Sequence, residues 1–128
     1  MPCLDAMTRP GQRNRVRIIG GQWRSRVLRF PDAEELRPTP DRVRETLFNW
    51  LGQDLTGLTC LDLFAGSGVL GLEAASRGAR LVVMVERDPL AFKALRDNAN
   101  LLQASCVELV RADALEFLAS DTRAYDVV

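Results

Sequence analysis

The sequence predicts an α/β protein with a doubly wound, mostly parallel sheet, and three observations carry that prediction. The first is a short apolar run, Thr59 to Phe64, followed at once by a glycine turn (Ala65 to Gly68) and a helix that ends near Arg77 with Gly78 as its stop. A buried parallel strand is a continuous apolar run, and a helix within a few residues makes it the first half of a βαβ unit. The second is the glycine spacing: Gly66, Gly68 and Gly71 spell G-x-G-x-x-G, which brings bare backbone close to a ligand and packs the helix tightly on its strand. The third is repetition, since LVVMVE (81–86) and Cys106–Val110 are two further apolar runs, each followed by a helical pattern. Together they describe the first half of a Rossmann-like sheet.

Two acids sharpen the reading. Asp62 stands four residues before Gly66, and Glu86 twenty residues after it. In open α/β sheets the ligand lies outside the carboxyl ends of the strands. Glu86 ends its strand at that edge, where a carboxylate can accept from both hydroxyls of a ribose. Asp62 then discriminates between nucleotides. A dinucleotide presents an anionic pyrophosphate to the turn, which an acid would oppose. S-adenosylmethionine presents a sulfonium and an ammonium group, which an acid complements. A bland alternative stands beside this one, in which Asp62 only caps the turn.

The remaining elements follow in order. Residues 1–13 are expected to be a disordered tail, 14–36 a basic β-hairpin arm, and 37–128 the sheet domain. In the arm, Val16 and Ile18 alternate with Arg15 and Arg17. Gly20-Gly21 reads as a two-residue hairpin turn, and Trp23 to Phe30 as the return strand. Arg15, Arg17, Trp23, Arg24 and Arg26 are candidate RNA contacts, because arginines suit phosphates and an aromatic suits an unstacked base. Trp23 is equally open to a role as the arm's anchor. After the proline-rich connector PDAEELRPTP, Thr39 reads as an N-cap and Pro40 as the first helical residue. Val43, Leu47 and Leu51, widened by Phe48 and Trp50, form the apolar stripe, and Gly52 stops the helix. Arg44 is expected on a solvated face.

Beyond Glu86 and Arg87, Asp88 is an N-cap and Pro89 the first residue of the next helix. Leu90, Phe92, Ala94, Leu95 and Leu101 supply its apolar side, and Arg96, Asp97 and Asn98 its wet side. Asp113 stands at the end of the third strand as a helix N-cap, and beside Ala114 its carboxylate can also accept from an adenine amine. Tyr125 to Val128 begins a fourth strand, for a strand order 3-2-1-4.

Composition narrows the class. The chain has 128 residues, 47% hydrophobic and 27% charged, as in an ordinary soluble domain. Its zero net charge hides an asymmetry: residues 1–30 carry +6 and the remainder −6. A basic arm on an acidic body points to a polyanionic partner. No apolar run approaches membrane-spanning length, and the N-terminus lacks a signal peptide's apolar core. Three cysteines in no C-x-x-C spacing suggest reduced thiols in the cytoplasm. The absence of histidine removes the usual general base and the commonest zinc ligand, so no metal is expected.

DLFAGSG (62–68), VERD (85–88), ADA (112–114) and RPTPDRVRETLFNWL (37–51) resemble a bacterial methyltransferase family that modifies the exocyclic N2 of one guanine in small-subunit (16S) ribosomal RNA. The glycine turn with its acids is shared by all class I methyltransferases, whereas the RPT segment joined to FNWL is far more specific. The resemblance covers about residues 14–128, with RVRIIGGQWRSRVLRF similar to the family's N-terminal arm. It implies a methyltransferase sheet, S-adenosylmethionine as cofactor, and the small ribosomal subunit as partner. Asp62, Gly66 and Gly68 would take the methionine part, Glu86 the ribose and Asp113 the adenine amine, Thr39 would close over the cofactor, and Phe64, Arg87 and Ala114 complete the expected cofactor-binding set. The family's fourth strand runs into an Asn/Asp-Pro-Pro-Phe/Tyr tetrapeptide that does the chemistry. Here it is expected just after Val128, so no catalytic residue is expected within 1–128 and the fragment alone is expected to be inactive. A monomer is expected at full length. The competing readings are an NAD-binding oxidoreductase domain, which Asp62 opposes, and a non-catalytic nucleic-acid-binding module.

Overall fold

The computed structural model describes residues 15–30 and 40–128. The expectations for 1–14 and 31–39, including the connector and Thr39, lie outside the described residues. Three parallel strands form the main sheet: β3 (Thr59–Asp62), β4 (Leu81–Val85) and β5 (Val107–Val110), in the order β3-β4-β5. β4 is covered on both sides, which explains its unbroken run of apolar residues. Successive strand side chains point to opposite faces. Val82 and Met84 join the large core with Leu72 of α2 (Val69–Ser76) and Leu95, Ala99 and Leu102 of α3 (Pro89–Leu102). Val83 and Val85 join Leu61 and Phe117, the latter on α4 (Ala114–Ser120). Helices therefore pack on both faces, as a doubly wound sheet requires.

The outer side of β3 carries less than a strand. The expected fourth strand at Tyr125–Val128 is reduced to one parallel bridge, Cys60 to Val127, with Leu61 N–H donating to Val127 O at 2.8 Å. Its place beside β3 agrees with the expected order. Of the described helices, none is long and apolar enough to cross a membrane.

The arm is an antiparallel pair, β1 (Arg15–Arg17) and β2 (Val27–Arg29), with Arg15 opposite Arg29 and Val16 opposite Leu28. Val16, Ile18, Leu28 and Phe30 are buried, while Arg15, Arg17 and Arg29 are exposed. Two expectations fail here. The return strand is only Val27–Arg29, and Gly20-Gly21 does not make a two-residue turn. Ile18 closes the ladder instead, donating to Arg26 O and accepting from Ser25 N–H. The glycine pair serves docking: a Cβ at Gly21 (φ +82°) would lie 1.9 Å from the Ser76 carbonyl oxygen at the end of α2.

The helix α1 (Asp41–Leu51) also differs in detail. Pro40 occupies the N-cap position rather than the first helical one, with its carbonyl accepting from Arg44 N–H. Its inward face is rotated by one residue from the expected stripe. Arg44 and Phe48 are buried, whereas Val43 and Trp50 are exposed, at 53% and 82%. The physical cause is a buried acid, Glu73, that draws Arg44 inward. A comparable correction applies to α3, where Asn98 is buried and Leu90 and Leu101 are exposed.

Candidate nucleoside site and the basic arm

The glycine turn forms where its spacing predicts, and its three glycines serve different structural ends. Gly66 (φ +59°) and Gly68 (φ +96°) hold backbone conformations that side-chain-bearing residues rarely adopt. A Cβ at Gly68 would lie 2.4 Å from Leu95 Cδ1, so that glycine faces the protein interior. One at Gly71 would lie 2.3 Å from Met84 Sδ, and its absence lets α2 lie close on β4.

Glu86 locks the turn to the second strand. Its Oε1 accepts from Gly66 N–H at 2.8 Å, and its Oε2 from Asp88 N–H at 2.9 Å. Each oxygen keeps a further lone pair, so the carboxylate retains acceptor capacity toward the cleft. That cleft, of about 220 Å³, is lined by Leu63, Phe64, Glu86, Arg87, Ala112, Asp113 and Ala114. Asp113 caps α4, its Oδ2 accepting from Leu115 N–H at 3.1 Å, while Oδ1 lies 3.7 Å from Arg87 Nη1. Phe64 is 82% exposed at the cleft's rim.

Asp62 sits apart from this cleft. Its Oδ1 accepts from Phe64 N–H at 3.2 Å. It borders a mostly apolar cavity of about 340 Å³ beside β3, shared with Phe48, Leu61, Phe64 and Leu70. Burial pushes its carboxyl above the ordinary carboxylate value, and the nearby Glu86 adds to that. Leu63 and Phe64 border both spaces, so the two acids flank one loop. Of the residues the sequence singles out for the cofactor, Phe64, Glu86, Arg87, Asp113 and Ala114 thus share one cleft, Gly66 is tied to it through Glu86, and Asp62 lies next door. Among the described residues, no group of three or more His, Cys, Asp or Glu side chains is placed to hold a metal ion.

On the arm, Arg15, Arg17, Arg24 and Arg26 are exposed and Trp23 is half-buried. Trp23 packs against the main core, and its backbone N–H donates to Ser76 Oγ at 3.0 Å, which makes it an anchor. Arg29 belongs with the exposed group, and alternation with the buried Leu28 and Phe30 was the signal for it.

Besides Arg44, three buried charged or amide side chains escape the sequence reading: Glu73, Arg77 and Asn98. Glu73 Oε1 accepts from Arg44 Nη1 at 3.1 Å and Ile19 N–H at 2.9 Å. Its Oε2 accepts from Gly20 N–H at 2.9 Å and Arg77 Nε at 3.0 Å. One carboxylate so joins the arm, α1 and α2, and Arg77 also stacks 4.7 Å from the Phe48 ring centre. Asn98 is the third, and its partners are described below. Glu73 had a signal, being the lone charge in the otherwise apolar VLGLEAAS.

An ordered glycine turn, a strand-end carboxylate and a helix on either face make this a Rossmann-like α/β domain of the kind methyltransferases use, with a candidate nucleoside cleft at its strand ends. The comparisons with known proteins agree. The family model described as "Conserved hypothetical protein 95" matches residues 16–128. "Ribosomal RNA small subunit methyltransferase D" of Escherichia coli (strain K12) is 49% identical over 113 residues, 88% of this chain and 57% of that protein. The protein of the same name from Haemophilus influenzae is 46% identical over 111 residues, 85% and 58%. The solved structure of yhhF from Escherichia coli superposes with a TM-score of 0.74 at 50% identity, covering 82% of this chain and 56% of that one. The chain belongs to this family, and it spans a little under three fifths of the curated relatives' length.

Proposed function

We propose that the protein transfers a methyl group from S-adenosylmethionine to the exocyclic N2 of a guanine in small-subunit (16S) ribosomal RNA, residues 1–128 supplying most of the cofactor site. The observation that carries this reading is Glu86, a strand-end carboxylate tied to the glycine turn yet able to accept further hydrogen bonds. The name and identity of the relatives support the RNA substrate.

The residues present fit that cofactor. Glu86 would accept from the ribose hydroxyls, and Asp113 from the adenine amine, with Phe64, Arg87 and Ala114 bounding the cleft. Burial raises the Asp62 carboxyl above its ordinary value, and the cationic methionine portion would oppose that rise by favouring the carboxylate. Gly66, beside which a Cβ would meet open space, would leave room for that portion, Gly68 would hold the turn's left-handed backbone against Leu95, and Thr39 would close over the cofactor. The cofactor supplies an electrophilic methyl group on a sulfonium. The guanine amine is a weak nucleophile, since its lone pair is delocalised into the ring. Oxygen acceptors such as those of the family's Asn/Asp-Pro-Pro-Phe/Tyr tetrapeptide would accept hydrogen bonds from its N–H groups and align it. The exposed face of Arg15, Arg17, Arg24 and Arg26, held in place by Trp23, would meet the phosphates of the small ribosomal subunit. The setting is the cytoplasm, and the full-length protein acts as a monomer.

Calorimetric titration of the full-length protein with S-adenosylhomocysteine and with NAD tests the cofactor. Binding of the first and not the second is expected, and NAD binding alone would remove the reading. Transfer of labelled methyl to small subunits that lack the modification tests the substrate, and Glu86→Ala should abolish it.

A further inference from the structure

One buried amide joins the arm directly to the glycine turn. Asn98 lies on α3 and is almost wholly buried. Its Oδ1 accepts from Arg29 N–H at 3.0 Å, and its Nδ2 donates to Arg29 O at 2.8 Å and to Ser67 O at 2.9 Å. Two carbonyl partners and one N–H partner fix which end of the amide is which. Arg29 stands opposite Arg15 in the ladder, so the amide occupies the outer edge of β2 in the manner of a neighbouring strand. The same side chain then reaches the peptide between Gly66 and Gly68.

Ser67 lies between two glycines of positive φ, and glycine tolerates either sign of φ at little cost. Gly66 N–H to Glu86 holds the turn on the nucleoside side and Ser67 O to Asn98 on the arm side, while Gly68 N–H to Ala65 O closes it within and Ala65 N–H to Val85 O ties down its start. Arg29 and Arg15 form a like-charged pair directly across two strands, which an anion would relieve. An anion drawn to that pair therefore acts on the residue whose backbone Asn98 grips.

We propose that Asn98 is a positioning residue that couples occupancy of the basic arm by RNA to the conformation of the cofactor turn. The inference rests on the methyltransferase reading, and it makes the two ligands bind cooperatively. The coupling must be reciprocal, because it is a difference of binding free energies. The two states are a Ser67 carbonyl held by Asn98 and one released from it.

The test is a thermodynamic cycle in the full-length protein. Dissociation constants for S-adenosylhomocysteine are measured with and without small ribosomal subunits lacking the modification, and for the subunits with and without S-adenosylhomocysteine. In the unaltered protein each ligand should tighten the other by about fivefold or more. In Asn98→Ala that ratio should fall to near one while both ligands still bind. A purely structural role would lower the melting temperature and leave the ratio unchanged, which would overturn the proposal. Should Asn98→Ala fail to fold, amide exchange in the unaltered protein decides the matter. Subunit binding should slow exchange at Gly66–Val69, and no change there would overturn it. Failure of the unaltered protein to bind small subunits at all would remove the methyltransferase reading as well, whereas binding without coupling removes this inference alone.

Discussion

Two glutamates, Glu73 and Glu86, each accept backbone N–H groups from a glycine segment, and they do opposite jobs. Glu73 is fully buried and takes four donors, two of them guanidinium groups. Its oxygens have nothing left to offer a ligand. Glu86 takes two backbone donors and faces a cleft. The number of donors already on a carboxylate, more than its position in a helix or strand, separates an acid that holds the protein together from one that can hold something else.

The largest effect should come from breaking the saturated acid. Glu73→Ala would leave Arg44 buried without a counter-charge beyond Asp41 and strand the Ile19 and Gly20 N–H groups. Breaking one side of a buried ion pair costs about 3–5 kcal/mol, a large part of a domain's stability. Urea unfolding of the full-length protein should register that loss. A loss no larger than that of a surface substitution would end the contrast.

Glu86→Gln should be felt at the ligand instead. An amide keeps one acceptor oxygen but loses the charge, and charge-assisted hydrogen bonds contribute about 1.5–3 kcal/mol. Affinity for S-adenosylhomocysteine should therefore fall by roughly ten- to a hundredfold, with a smaller loss of melting temperature than in Glu73→Ala, because the amide nitrogen would face one of the two N–H groups that Glu86 accepts. Calorimetry and thermal melting on the same sample would distinguish the two effects.

Asp62→Asn gives the smallest effect, with opposite signs on stability and binding. Burial raises the folded-state pKa of Asp62, and Glu86 adds to the rise. The stability this group contributes is present below the unfolded carboxyl value and is lost as pH climbs through the folded one. The asparagine removes that loss, so the ligand-free variant should be the more stable protein at neutral pH, with a flatter stability profile across the acid range. Its affinity for the cationic cofactor should drop. Thermal melts of the free protein from pH 3 to pH 8 check the first half, and titration checks the second.

Features decided within a few residues were legible in the sequence. The glycine turn, the Asp88 and Asp113 caps and the β4 and β5 runs depend on local backbone geometry, and they appear where expected, whereas the return strand of the arm and the fourth strand are shorter than their apolar runs suggest. Features decided by a distant partner were not. Arg44 reads as a surface residue until Glu73, on another helix, is set against it. Asn98 reads as polar and therefore wet, although Leu95 and Leu102 mark the same side of α3 as buried. Gly20-Gly21 misleads for a similar reason, since a hairpin turn and a docking point both call for glycine. Only the nearness of Ser76 tells which it is.

The closeness of Gly21 to Ser76 also bears on transplantation. Any residue with a side chain at position 21 would drive into the α2 terminus, so an arm transplanted from another protein can seat on this surface only if it brings glycine to that position.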